Sequence, residues 1–594
     1  MDRCRSCLDS KLYAGAKASG EVLRKKRIAE RKGKKKEKQK RERKRKKKGR
    51  KKKRRRKREM TENTSKREKT KLLKVYERNV IEGEYPNGLA YSVHMSLIEN
   101  DENGENNGME EPLHNQYGLL FPKAAINENN VIVPKFVGRL RIAAVEQNKK
   151  EQYIITGENL LENGEPDPQS SGLFWSWSTF DFQTFEEWGL ITRQEVEAKT
   201  KTAIHVLRES DCVKIPSQMA DKMKQKWNPL RFQSVTKLTE SDGKESQNSV
   251  RVQYSDGSFH EKNLSVYPNL KFPLARGFGD PVILLWKDEY YYIATNDNLD
   301  DIGFYVRKAH TLDELFSETV SMHLILDRDE SRQLIQTFWA PEFHRIGENL
   351  YLLFAVSGQK WGPQCHLMKL KENGDILKAE DWEDPVRIKK ADGSFLTEQG
   401  ITLDMTYVKS GDRHFYIWSY RENIRTPLDS GSMLMVAEFS PNEPDRLITE
   451  PVCLSRPLYG FENTSGTINN EGPYAFYHNG TIYLAYSGGH ARGYLYTIGI
   501  LTAKDGADLC DLSVWEKAKT PAVSFASVPG EYGPGHNSFF CDRNNDWWIA
   551  FHAVQSFGES VISSAIRRVH FDVEGNPRFD LAREEDLPEI YRKN

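Results

Sequence analysis

The sequence has no run of 18 or more apolar residues, so no membrane-spanning helix is expected. It also lacks the apolar core of about 7–15 residues and the small-residue cleavage site that mark a secretion signal. Cysteine is scarce. Seven residues (Cys4, Cys7, Cys212, Cys365, Cys453, Cys510, Cys541) are scattered over 594 positions. An odd, sparse set fits free thiols in a reducing compartment better than a disulfide framework. Cys4 and Cys7 form a lone pair with no second pair nearby, half of a zinc site at most. These absences lead to the expectation of a cytoplasmic protein.

Acidic charge is nearly missing from one segment only. Residues 1–60 hold 31 of the 88 Lys and Arg but 7 of the 85 Asp and Glu. The remaining chain therefore carries an excess of 21 negative charges, a poor surface for nucleic acid. Between Arg24 and Arg58, 27 of 35 residues are basic, so this block is expected to be a disordered tail. No aromatics interleave in it and no nucleic-acid module follows. Met60 precedes an ordinary polar start, and translation is expected to begin there. Nucleic acid would be a partner only through this tail.

Aromatics are plentiful at 11%, and they recur. One pattern repeats five times, in stretches that start at Pro281, Pro341, Met405, Pro473 and Asn537, spaced by 60, 64, 68 and 64 residues. Each holds a short apolar strand, a polar turn and an aromatic-rich strand. The turns Lys287-Asp288-Glu289, Gly347-Glu348-Asn349, Ser410-Gly411-Asp412 and Asn479-Gly480 predict β-hairpins. The spacing leaves room for two more strands per unit, which points to an all-β fold with a five-bladed β-propeller over 271–594. Two stacked sandwiches would leave the regular spacing unexplained.

Ionisable residues stand just before or within each first strand: Asp280, Glu342, Asp404, Glu471 and His536. Innermost propeller strands line one central channel, so the five are expected to converge. Clustered carboxylates repel, and one or more should hold its proton. A proton donor beside an ionised base is the equipment of general acid–base catalysis.

The stretches Arg276-Gly-Phe-Gly-Asp280-Pro281, Trp339-Ala-Pro-Glu342-Phe-His344, Ile401-Thr-Leu-Asp404, Asn470-Glu471-Gly-Pro473 and Gly533-Pro-Gly-His536-Asn-Ser538-Phe resemble, in order and spacing, the motifs of glycoside hydrolase family 43. The resemblance covers roughly 272 to 594. It implies a five-bladed propeller that hydrolyses arabinose- or xylose-containing saccharides with inversion. By motif, Asp280 is the implied general base and Glu471 the general acid. Asp404 is implied to raise and orient the acid, and Trp339, Glu342 and Arg276 to bind substrate. His536 falls where the family holds a calcium ion or a water cluster on the propeller axis; no cofactor is otherwise implied. Gly279 replaces the family's usual Ala before the base, and Leu403-Asp404-Met405 replaces its Ile-Asp-Gly. Both changes leave the three carboxylates in place.

Inversion needs carboxyl groups roughly 6.5–9.5 Å apart, and residues facing one another across a channel suit that separation. Trp361, Trp418, Tyr420 and Tyr486 could stack on sugars, although Trp418 and Tyr486 read better as core. Residues 61–204 are expected to form a β-rich, blade-like module, with Phe174 to Trp188 resembling outer blade strands. Residues 205–270, with a helical run from Ser217 to Trp227 and a hairpin at Asp256-Gly257, are expected to form a small immunoglobulin-like insert. The favoured reading is an exo-acting α-L-arabinofuranosidase, with a β-D-xylosidase or a non-catalytic sugar-binding propeller as alternatives. Exo action is expected from the extra N-terminal mass, which could block a long groove.

Overall fold

The computed structural model describes residues 70–594 apart from 101–105, 148, 202–209, 240–243, 265–266, 465–467 and 593–594. The basic tail, its expected start at Met60 and the Cys4–Cys7 pair lie outside the described residues.

Each predicted repeat folds as an antiparallel hairpin that extends into a sheet of four or five strands. In sheet one, Phe278–Trp286 pairs with Glu289–Asn296, which is followed by Phe304–Ala309 and His323–Leu326. Sheets two, three and four begin with Gln336–Ile346, Ile401–Ser410 and Asn470–His478. Sheet five begins with Tyr532–Cys541 and continues through Trp547–Val554 and Ser563–Arg568. Its outer position is filled by Ala275–Arg276, from just before sheet one.

The hairpin turns follow from the sequence. Lys287 and Asp288 both take positive φ (48° and 63°), as do Asn479 and Gly480 (49° and 71°). These two-residue loops match the strand twist, which is what a primed turn supplies.

The sheets close a cycle. The first strand of each lies against that of the next, and the fifth lies against the first. Five apolar cores fill the gaps. Val282, Phe304, Phe343 and Leu352 pack between sheets one and two. Leu353, Met405, Tyr416 and Trp418 pack between two and three, and Phe415, Ile417, Leu484 and Tyr486 between three and four. Phe476, Ile498, Ile549 and Phe551 join four to five, and Ile283, Tyr292, Phe540 and Trp548 join five to one. Trp418 and Tyr486 are thus core residues, as their sequence context suggested.

The N-terminal region is a sandwich. Phe136–Gln147, Lys150–Leu160, Leu173–Thr179 and Glu186–Thr192 form a four-stranded meander. It packs on a second sheet built from Cys212–Pro216, Thr70–Tyr76, His94–Asn100 and Asn106–Pro112. The helix Ser217–Trp227 buries Ala220 and Met223 in the same core. So the start of the expected insert belongs to this sandwich.

The immunoglobulin-like insert is corrected by the strand pairing. Phe232–Thr239, Glu245–Tyr254 and Phe259–Asn263 form one three-stranded sheet, and among the described residues no second sheet of this segment faces it. Its apolar face is covered instead by Leu581 and Leu587 near the C-terminus. Buried charge locks that junction: Lys262 and Arg568 both reach Asp586, at 2.8 and 2.7 Å.

Among the described residues, no helix is long and apolar enough to cross a membrane.

Candidate active site

Each first strand of the ring carries an irregularity at one shared position. Its residue has a positive φ: Asp280 (53°), Ala340 (47°), Asp404 (54°), Gly472 (55°) and His536 (46°). Pairing with the neighbouring strand skips there in all five sheets. A bulge of this kind re-aims a side chain and concentrates strain where function uses it. The expectation of five equivalent ionisable residues is corrected accordingly. Asp280, Asp404 and His536 share the position, whereas Glu471 precedes it by one residue and Glu342 follows it by two.

A pocket of ≈ 140 Å³ opens over this end of the channel. It is lined by Asp280, Asp404, Glu471, His536, Trp339 and Arg492, among others.

Asp280 is held as a carboxylate. Its Oδ2 accepts from Thr295 Oγ1 at 2.5 Å, and its Oδ1 lies 3.1 Å from His536 Nδ1 and 3.3 Å from His552 Nδ1. Burial alone would raise its pKa, but His536, His552 and Thr295 together outweigh burial and hold it well below the usual carboxylate range.

Glu471 has the opposite environment. It is 8% exposed, and among the described residues its carboxyl accepts one hydrogen bond, from Tyr496 Oη to Oε1 at 2.9 Å. Burial first, and the Asp404 charge second, push it up to about 7. Gly535 makes room for the Tyr496 ring, since a Cβ there would stand 2.0 Å from it.

Asp404 is 1% exposed. Its Oδ2 accepts from Ser419 Oγ at 2.9 Å and from the Gly472 amide at 3.1 Å. Burial raises its pKa and Asp280 adds to that, with His536 opposing.

His536 stands among these carboxyls. Its Nε2 is 3.9 Å from Asp404 Oδ1, and among the described residues neither atom has a hydrogen-bond partner. Burial would lower the imidazole, but Asp280, Asp404, Glu471 and Glu342 outweigh burial and raise it. This donor set does not fit a calcium ion bound directly by protein. Calcium takes 6–8 oxygen ligands, whereas the axis presents a ring nitrogen and carboxylates already hydrogen-bonded. Among the described residues no group of three or more His, Cys, Asp or Glu is arranged to hold a metal.

The three residues expected to bind substrate separate. Trp339 lines the pocket, its Nε1 donating to Asp301 Oδ2 at 2.9 Å. Glu342 does not line it. It is buried against His344 Nε2 at 2.6 Å, and burial raises it far above the usual range. Arg276 does not line it either. Its side chain is 56% exposed and pairs with Glu559 at 2.9 Å. Trp361 stacks on His366 away from the pocket, and Tyr420 donates to Glu422.

Sequence reasoning missed Thr295, His552, Tyr496, Asp297 and Arg492. Thr295 and His552 sit on second strands, which are buried almost throughout and read as apolar runs with no charge pattern to notice. Tyr496, Asp297 and Arg492 come from loops with no repeat.

A closed ring of β-sheets gathers Asp280, Asp404, Glu471 and His536 in one pocket, equipment suited to a hydrolase. Residues 270–577 match glycosyl hydrolases family 43, just over half of the chain, and the chain belongs to that family. Two Streptomyces relatives are each 30% identical and named extracellular exo-α-(1→5)-L-arabinofuranosidase. The one from Streptomyces avermitilis matches 54% of this chain and 62% of its own length; the one from Streptomyces chartreusis matches 48% and 82%. The chain thus spans less than two thirds of the first of these. A solved α-L-arabinofuranosidase from Lactobacillus brevis is 26% identical, over 53% of this chain and 97% of its own, with a TM-score of 0.46. The cytoplasmic expectation is overturned by the two Streptomyces enzymes, both named extracellular.

Proposed function

We propose that the ring is a five-bladed β-propeller and that the protein is an inverting, exo-acting α-L-arabinofuranosidase. The observation that carries the reading is one pocket lined by two carboxyls in opposite surroundings. His536, His552 and Thr295 hold Asp280 well below the usual carboxylate range, whereas burial and the Asp404 charge push Glu471 up to about 7.

In this mechanism Glu471 donates its proton to the glycosidic oxygen as the bond to the sugar breaks. Asp280 takes a proton from a water that attacks the opposite face of the ring. Asp404 raises Glu471 by its charge and, through the Gly472 amide, fixes the strand that carries it. The two reacting carboxyls come from sheets one and four, which are not neighbours, and accept hydrogen bonds from different hydroxyls, Thr295 Oγ1 and Tyr496 Oη. That arrangement supports a water between them, hence inversion. A cavity of about 150 Å³ accommodates one benzene-sized ring, so ≈ 140 Å³ supports a single terminal sugar. The names of the relatives support arabinofuranose as that sugar.

The test is hydrolysis of p-nitrophenyl α-L-arabinofuranoside and p-nitrophenyl β-D-xylopyranoside by the wild type, Glu471→Gln and Asp280→Asn, with NMR of the first-formed anomer. Arabinofuranoside hydrolysis that collapses in both variants and gives the inverted sugar supports the proposal. Preference for the xyloside makes it a β-D-xylosidase. Binding of arabino-oligosaccharide without hydrolysis of either substrate makes it a non-catalytic sugar-binding propeller.

A further inference from the structure

The loop between Thr481–Gly488 and Thr497–Lys504 of sheet four crosses to sheet one, passing over sheet five. Arg492 makes the crossing. Its Nη2 lies 2.9 Å from Asp297 Oδ1 and 3.5 Å from Asp301 Oδ2, both in the loop that follows Glu289–Asn296. Asp301 also receives the Trp339 indole. So one guanidinium ties a loop of sheet four, a loop of sheet one and the aromatic face of sheet two around the same pocket. The Arg492 side chain remains 45% exposed and lines that pocket, and among the described residues no acceptor meets its Nε or Nη1. Guanidinium carries five donors, and unused ones facing a pocket are available to sugar hydroxyls.

The same loop reaches the reacting groups. Ala491 O lies 2.8 Å from His552 Nε2, and His552 Nδ1 lies 3.2 Å from the Asp280 amide and 3.3 Å from Asp280 Oδ1. Tyr496, at the loop's end, donates to Glu471.

The loop is braced from the N-terminal region. Tyr494 stacks on Phe525 with ring centroids 4.5 Å apart, and Phe525 meets Tyr85 edge-on at 6.1 Å. Tyr494 and Leu495 belong to one apolar cluster with Tyr85, Leu89 and Tyr117. Backbones touch beneath it: a Cβ on Gly460 would stand 2.1 Å from Gly88 O.

We propose that Arg492 is a specificity-determining residue that binds the terminal sugar and closes the pocket against a continuing chain, held in place by the N-terminal sandwich through Tyr85, Phe525 and Tyr494. The inference rests on the arabinofuranosidase reading and adds to it a role for residues 70–124. It also moves the cause of exo action. The N-terminal mass does not line the pocket; it braces the residue that does.

The experiment uses the full chain with Arg492→Ala, Arg492→Lys and Tyr494→Leu. KM and kcat are read on p-nitrophenyl α-L-arabinofuranoside, and products are read on linear α-1,5-arabino-oligosaccharides. Arg492→Ala should raise KM roughly tenfold to a hundredfold, the scale of one or two lost charge-assisted hydrogen bonds. It should change kcat less, and should release di- and trisaccharides where the wild type releases arabinose alone. Arg492→Lys should restore part of the KM, and Tyr494→Leu should shift KM in the same direction without touching sugar. A purely structural clamp would lower the melting temperature while leaving KM and the product pattern unchanged, and that result overturns the inference. Calorimetric titration of arabinotriose into Glu471→Gln, with and without Arg492→Ala, separates the two readings. If the wild type binds but does not hydrolyse, the enzymatic reading fails, while weaker binding in the double variant still upholds the role of Arg492. Equal binding overturns it, as does absence of binding in both.

Discussion

His536 Nδ1 lies 3.1 Å from Asp280 Oδ1. The two residues occupy the same bulge position in sheets five and one, so the ring's closure itself makes the pair. Four carboxyls raise the imidazole's pKa, and the protonated imidazole favours the ionised form of Asp280 inside a buried site.

Replacing His536 with Gln removes that cation and leaves the carboxyls. Asp280 should then titrate higher by about 1–3 units, the usual effect of one opposite charge within a few ångströms. Glu471, which His536 also holds down, should rise with it. Both limbs of the kcat/KM pH profile are therefore expected to move to higher pH. An acid limb that stays in place would show that His536 does not set Asp280.

Wild-type activity should require Glu471 protonated and Asp280 ionised. Activity falls as pH rises through the Glu471 value of about 7, whereas the acid limb lies below the ordinary carboxylate range. Glu471→Gln should lower kcat/KM by about 10²–10⁴-fold and abolish the basic limb. Asp297 is also pushed up to about 7, by burial and by Asp301. Asp297→Asn is thus the control, and it should retain the limb.

Asp404→Asn preserves shape and removes charge. Because the Asp404 charge raises Glu471, the basic limb should move to lower pH. The substitution also weakens the acceptor for Ser419 Oγ and the Gly472 amide. A pH profile with loss of kcat but no displaced limb would reduce Asp404 to a strand-orienting role.

The ring was legible in the sequence because its hairpins repeat near every 64 residues and carry turn residues whose φ the fold requires. The three carboxyls were legible for the same reason. The bulge was not. One extra residue per strand is invisible to a period-2 pattern, which is why Glu342 was placed beside Asp280 when Ala340 is its counterpart. Arg276 was misplaced because adjacency to Asp280 in sequence says nothing once the chain turns into sheet five to pair with Ser563. Arg492 and His552 left no signal, since they meet the site through loop and second-strand geometry. The immunoglobulin-like expectation failed because the three strands find their apolar cover in Leu581 and Leu587, more than 300 residues downstream.

Asp586 tests that last junction. Its carboxylate takes Lys262 and Arg568 with all three side chains under 5% exposed. Asp586→Ala leaves two buried basic side chains without their shared carboxylate, which should cost about 3–5 kcal/mol. The loss should appear as a lower denaturant midpoint and an earlier thermal transition, with KM on the aryl arabinofuranoside unchanged at temperatures where the variant is folded.

Ala275–Arg276 finds its partner only in Ser563–Arg568. On a ribosome adding about 5–20 residues per second, that first strand waits roughly 15–60 s for its mate. Until sheet five is made, sheet one has no neighbour on its open flank, and Asp280 has neither His536 nor His552. The reacting site is consequently among the last features of the protein to come into being, and a chain cut short before Ser563 would carry every expected carboxylate yet lack the strand that fastens the circle.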